Sequence, residues 1–157
     1  MRHTISVLVE NKFGVLARIA GLFSARGFNI DSLTVGETED PTVSRMTIVV
    51  KGDDRTIDQV KKQLNKLIDV ITIKDLTKKD YIDRELILFK VGITEKDKAK
   101  IAQLIEKAGA VILHRAAKAF LVQMAGPQDK ITTLLEHLTD YGIKELTRTG
   151  KVAIAKD

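Results

Sequence analysis

The chain has 157 residues, 44% of them hydrophobic, with no cysteine and a formal net charge of +5. That length fits one ordinary domain or two small ones of ~75 residues each. The absent thiol excludes disulfides, thiolate catalysis and zinc–thiolate sites. The basic excess is spread evenly, with 13 basic and 11 acidic side chains in residues 1–80 and 13 and 10 in residues 81–157. Aromatics make up only 4%, too few for base-stacking platforms, so nucleic acid is not an expected partner. The densest basic cluster, Lys61, Lys62 and Lys66, reads as the solvated face of a helix. No apolar run approaches the ~18 residues of a membrane span. The opening segment MRHTISVLVENK lacks the apolar stretch of a signal peptide, so the cytoplasm is the expected compartment.

In chain order, HTISVLVE alternates Ile5, Val7 and Val9 on one face and reads as a strand. Residues 14–26 then read as a helix that places Val15, Leu16, Ile19, Ala20, Leu22 and Phe23 on one face. Gly27 ends this helix as a residue free to take positive φ. NIDSLTVGE is a second strand with Leu33 and Val35 two apart, TEDPT is turn chemistry, and VSRMTIVVKG returns as a third strand with Met46, Ile48 and Val50 alternating. In GDDRTIDQVKKQLNKLID, Asp53 or Asp54 is the expected N-cap, and Ile57, Val60, Leu64, Leu67 and Ile68 form the apolar stripe. VITIKDL closes a βαββαβ order, the ferredoxin-like plan.

The segment TKKDYID, residues 77–83, is polar and reads as a linker. The plan then repeats. RELILFKVGI is a strand, residues 96–108 form a helix with Ile101, Leu104, Ile105 and Ala108 inward, and AVILH with KAFLVQMAG form a hairpin. Residues 129–141 form a helix with Ile131, Leu134, Leu135 and Leu138 inward, and IKELTRTGKVAIAK is a final strand broken at Gly150. The expected fold class is α+β, two ferredoxin-like βαββαβ domains in tandem, spanning residues 1–78 and 79–157.

Catalytic and metal-binding patterns are missing. His3, His114 and His137 are far apart and form no ligand pair, and no phosphate-binding, dinucleotide-binding or nucleophile-elbow motif occurs. The adjacent acids Glu39-Asp40 and Asp53-Asp54 sit in turns and suit capping. The chain reads as a binding module with no metal site and no cofactor of its own. One position invites a ligand. Asn11-x-x-Gly14 stands where the first helix begins, and a helix start carries unpaired N–H groups and the positive end of the helix dipole. Gly14 lets a ligand approach the backbone, and the Asn11 amide can accept hydrogen bonds from an ammonium group. A carboxylate on backbone N–H and an ammonium on an amide oxygen together suit a free α-amino acid. The same two residues equally suit a plain turn and cap, and spacing alone leaves both readings open.

The run HTISVLVENKFGVLARIAGLFSARGFNIDSLTVGETEDPTVSRMTIVVKGDD, continued in KQLNKLIDVITIKDL, strongly resembles an ACT domain. With RELILFKV and ELTRTGKVAIAK, nearly the whole chain is similar to the small regulatory subunits of acetohydroxyacid synthase (acetolactate synthase), less closely around AVILHRAAKAF. That resemblance implies a non-catalytic protein that stimulates a separate catalytic large subunit, which carries thiamine diphosphate, FAD and magnesium. It also implies feedback inhibition by valine or a related branched-chain amino acid, bound where two copies pair edge to edge as a homodimer. Carried onto this sequence, the loop Asn11 to Gly14 and the N–H groups of Val15 and Leu16 would hold valine, with Asn29 and Ile30 of the partner subunit closing the pocket. Phe13 stands where many ACT domains have proline, which removes a fixed φ and widens the apolar wall. The rival readings are a free-standing amino-acid sensor acting on another enzyme or on transcription, and a small enzyme on the same scaffold.

Overall fold

Strand β1 (Arg2–Glu10) is the spine of the first sheet. It pairs antiparallel with β3 (Val43–Lys51) on one side and β4 (Val70–Asp75) on the other, and β2 (Ile30–Glu37) pairs with β3. The order is β2-β3-β1-β4. In this register Ile5 faces Ile48 and Val7 faces Met46. The two-residue alternation therefore collects the apolar side chains of neighbouring strands on one face. Helices α1 (Val15–Ala25) and α2 (Asp54–Asn65) supply the opposing layer. Ile19 and Phe23 from α1 join Ile57, Val60 and Leu64 from α2 in one core with Ile5, Val7, Met46 and Ile48. Helix α2 is capped by Asp53, whose Oδ1 accepts the Thr56 N–H at 2.7 Å, so the choice between the two adjacent acids falls on Asp53.

The second half repeats the plan. Strand β5 (Tyr81–Gly92), helix α3 (Lys98–Lys107), strands β6 (Val111–Arg115) and β7 (Ala119–Gly126), helix α4 (Gln128–Leu138) and strand β8 (Ile143–Arg148) follow in turn. The strand order β6-β7-β5-β8 matches that of the first sheet position for position, and β9 (Val152–Ala155) pairs with β5. Its core gathers Ile87, Phe89, Val91, Ile101, Ile105, Val122, Met124, Ile131, Leu134 and Leu138. The architecture is α+β, with two βαββαβ units in one chain. The computed structural model describes residues 1–157, and no helix in it is long and apolar enough to cross a membrane.

Several local expectations need correction. Leu16 was expected on the buried face of α1 but is 44% exposed, because Val15, Ile19 and Phe23 define the inward stripe and Leu16 falls one residue outside it. Ile68 was expected in the α2 stripe, yet α2 ends at Asn65 and Ile68 is 95% exposed in the loop beyond. Val35 alternates with Leu33 as expected but lies 43% exposed on an edge strand. The segment 77–83 is only partly a connection, since β5 begins at Tyr81. The final apolar run is two strands, because Gly150 takes φ +86° between them. By compactness the chain divides into Met1–Ile82 with Lys151–Asp157, and Asp83–Gly150. The terminal segment is tied to the start of β5. The Lys156 N–H donates to Asp80 O at 3.0 Å, and the Lys156 ammonium meets the Asp80 carboxylate at 3.0 Å.

Phe23 and Phe89 are the largest side chains fully enclosed by the two cores. Truncating either to alanine removes a buried ring and leaves a cavity, which costs ~3–5 kcal/mol. We expect Phe23→Ala and Phe89→Ala each to lower the denaturation midpoint sharply in urea titrations. Ile154→Ala, at a position 65% exposed, should stay within ~0.5 kcal/mol of the parent.

Candidate functional site

The site expected at Asn11–Gly14 occupies the crossing from β1 into α1. The Glu10 N–H donates to Asp69 O at 2.8 Å and the Asn11 N–H donates to Thr42 O at 2.8 Å, so the strand is anchored on both sides up to its last residue. The chain then turns within three residues. Gly14 is the N-cap, at φ +82° and ψ −7°. That left-handed conformation costs an L-residue roughly 1–2 kcal/mol and costs glycine nothing of the kind. No side chain caps α1 and its first turn contains no acid. The partial positive charge of the helix start is therefore not neutralised from within its own turn.

Asn11 is placed by the hairpin between β2 and β3. Its Nδ2 donates to Pro41 O at 2.9 Å and to Glu37 Oε1 at 3.2 Å. Both amide hydrogens are used, which leaves Oδ1 as an acceptor turned away from these partners. The hairpin itself is stiffened by Asp40, whose Oδ1 accepts from Thr42 Oγ1 at 2.7 Å and Thr42 N at 2.9 Å. The Thr42 hydroxyl and amide hold this carboxyl below the usual carboxylate range. Lys12 pairs with Glu10 at 2.8 Å, and the hydrogen bond to Glu10 holds the ammonium above its ordinary value. Phe13 is fully exposed and Leu16 is 44% exposed, so two apolar side chains flank the loop on its open side. Val15 is buried, and its N–H turns back to Lys12 O at 3.3 Å. The Val15 N–H, expected to meet the ligand, is thus already paired, and the N–H groups of Leu16 and Ala17 are the ones without a carbonyl partner one turn earlier.

Asn29 and Ile30 are elsewhere. The chain leaves α1 through Gly27 at φ +71°, with the Phe28 N–H closing on Phe23 O at 3.1 Å. Asn29 is exposed and Ile30 opens β2 opposite Val50. Within one chain these two residues stand at the far end of α1 from Gly14, so the structure groups Asn11, Phe13, Gly14, Val15 and Leu16 and leaves Asn29 and Ile30 apart.

Three pairings at the loop are not marked by any pattern in the sequence. Glu37 and Pro41 orient Asn11, and Arg18 reaches Asp69 at 2.6 Å and 3.0 Å. Their partners are 26 to 51 residues apart, and no local pattern marks such a pair. Elsewhere, a concavity of about 400 Å³ lies between α3 and α4, floored by Leu104 and Leu134 with Lys107 and Lys130 at its edge. Nowhere do three His, Asp or Glu side chains converge as metal ligands.

Residues 5–72 match the model of the AHAS small subunit-like ACT domain, and residues 84–157 match that of the small subunit of acetolactate synthase. The chain is 49% identical to the probable acetolactate synthase small subunit of Archaeoglobus fulgidus, over 99% of this chain and 98% of that protein. It is 40% identical to the acetolactate synthase isozyme 3 small subunit of Salmonella typhimurium, over 99% and 96% of the two chains. The crystal structure of the acetolactate synthase small subunit from Thermotoga maritima superposes with a TM-score of 0.92 at 38% identity, covering 100% of this chain and 98% of that one. With one plan shared along its whole length, this chain belongs to the acetolactate synthase small-subunit family.

Proposed function

We propose that this chain is the regulatory partner of a separate acetolactate-forming catalytic subunit in the cytoplasm, and that it senses valine or a related branched-chain amino acid at the start of α1. The carrying observation is the uncapped helix start at Gly14 beside an Asn11 whose two amide hydrogens are already committed. The ligand carboxylate lies against the first-turn N–H groups, its ammonium donates to Asn11 Oδ1, and its aliphatic side chain packs on Phe13 and Leu16. The chemistry of thiamine diphosphate, FAD and magnesium belongs to the catalytic partner.

A second copy completes the site. Strand β2 is an edge of the first sheet, and an open edge favours pairing with another strand. If β2 pairs with β2 of a second copy about a two-fold axis, the strands run antiparallel. The start of one then lies beside the end of the other. Ile30 starts the strand and Glu37 ends it, and Glu37 touches Asn11. The partner subunit's Asn29 and Ile30 thereby arrive at the Asn11 loop, which a single chain cannot arrange. A methylene more or less in such an apolar wall changes affinity by only ~1–3 kcal/mol, so valine, leucine and isoleucine compete for the same place.

Two results are expected. The purified chain alone forms no acetolactate from 2-oxo acids but raises the rate of its catalytic subunit in steady-state assays. Turnover by the chain alone, or no effect on that subunit, contradicts the assignment.

Gly14→Asp places a carboxylate against the ligand's own and should abolish inhibition by valine. Asn11→Ala removes a hydrogen bond to a charged group, worth ~1.5–3 kcal/mol, and should weaken valine binding roughly tenfold or more. Unchanged valine inhibition in Gly14→Asp rejects this pocket.

A further inference from the structure

We propose that Asp69 is a positioning residue of the effector site, acting through Arg18; this rests on the valine site proposed at Asn11–Gly14. Asp69 lies in the turn just before β4, outside the loop, and it bonds to both flanks of that loop. Its main-chain O accepts the Glu10 N–H at 2.8 Å, which fixes the strand entering the loop. Its Oδ2 accepts Arg18 Nη2 at 2.6 Å and Arg18 Nε at 3.0 Å, which fixes the helix leaving it. The Arg18 N–H closes the first helical turn on Gly14 O at 3.0 Å. One residue thus holds the separation and tilt of the two backbone segments between which the ligand sits.

Gly14 makes room for this clamp. A Cβ at position 14 would come within 3.0 Å of Arg18 Nη1, so the guanidinium passes directly over the glycine on its way to Asp69. Glycine is needed there for its positive φ, and its missing Cβ also leaves the clearance that Arg18 uses. The Asp69 side chain is 18% exposed and that of Arg18 is 50% exposed. An exposed ion pair contributes little to folding. A short, two-donor contact to one carboxylate oxygen is nevertheless well suited to fixing geometry. The clamp therefore sets ligand affinity far more than it sets stability.

The experiment uses the full-length chain, with valine titrated by calorimetry and thermal melting recorded without valine, for Asp69→Ala, Arg18→Met, their double variant and Gly14→Asp. Asp69→Ala should weaken valine binding about fivefold while its melting temperature shifts by only a few degrees, as for a weak surface pair. The double variant should bind no more weakly than Arg18→Met alone, because residues acting through one another are not additive. Multiplied losses in the double variant would overturn the proposal. So would parental affinity in Asp69→Ala beside lost binding in Gly14→Asp, which leaves the site standing and removes the clamp. Parental affinity in both variants overturns the site and the clamp together. A large fall in melting temperature with unchanged valine affinity would show a purely structural pair and also overturn it.

Discussion

Helix α1 has 11 residues and holds its ends roughly 16 Å apart at 1.5 Å per residue. Gly14 stands at one end and Asn29 just past the other, and a free aliphatic amino acid is far shorter than that span. Everything proposed about the ligand follows from this constraint. Either the two asparagines serve unrelated purposes, or a second chain brings its own Asn29 to the first chain's Asn11. The edge position of β2 and the contact between Asn11 and Glu37 favour the second. Effector binding and subunit pairing are then thermodynamically linked, each strengthening the other by the same factor.

The fold was legible because its cores are strictly periodic. Ile5, Val7 and Val9 alternate at period two, and Ile57, Val60 and Leu64 recur at helical spacing; all six are buried. Reading failed where periodicity continues past the element. Ile68 keeps the helical spacing but lies beyond the end of α2, and Leu16 sits next to the true stripe. Tyr81 to Asp83 looked like linker because charge surrounds the tyrosine, yet that strand start is held by backbone and ionic bonds to the terminal segment, more than 70 residues later. Pairings between residues so distant leave no local trace.

The candidate site was legible in part for a related reason. Asn11 and Gly14 are informative residue types because each does something few others can, one with an amide and one with positive φ. Arg18 and Asp69 are ordinary surface charges in the sequence and acquire a meaning only when the fold brings them to 2.6 Å. The same holds for Glu37 and Pro41, which orient Asn11 through contacts made across the hairpin. Capping chemistry is local and can be read from the chain, whereas the geometry that aims it is not.

The central claim, that the effector site is shared between two copies, has a direct test by subunit complementation. Gly14→Asp disables one half of each site and Asn29→Ala the other. A dimer of either variant alone should bind no valine at ordinary affinity. A heterodimer purified through two different affinity tags carries both lesions in one site and leaves the other site wholly parental. The account predicts one valine bound per heterodimer, at parental affinity, by calorimetry. A heterodimer that binds none would place Gly14 and Asn29 in the same chain's site, one that binds two would place them in no site, and either result would contradict it.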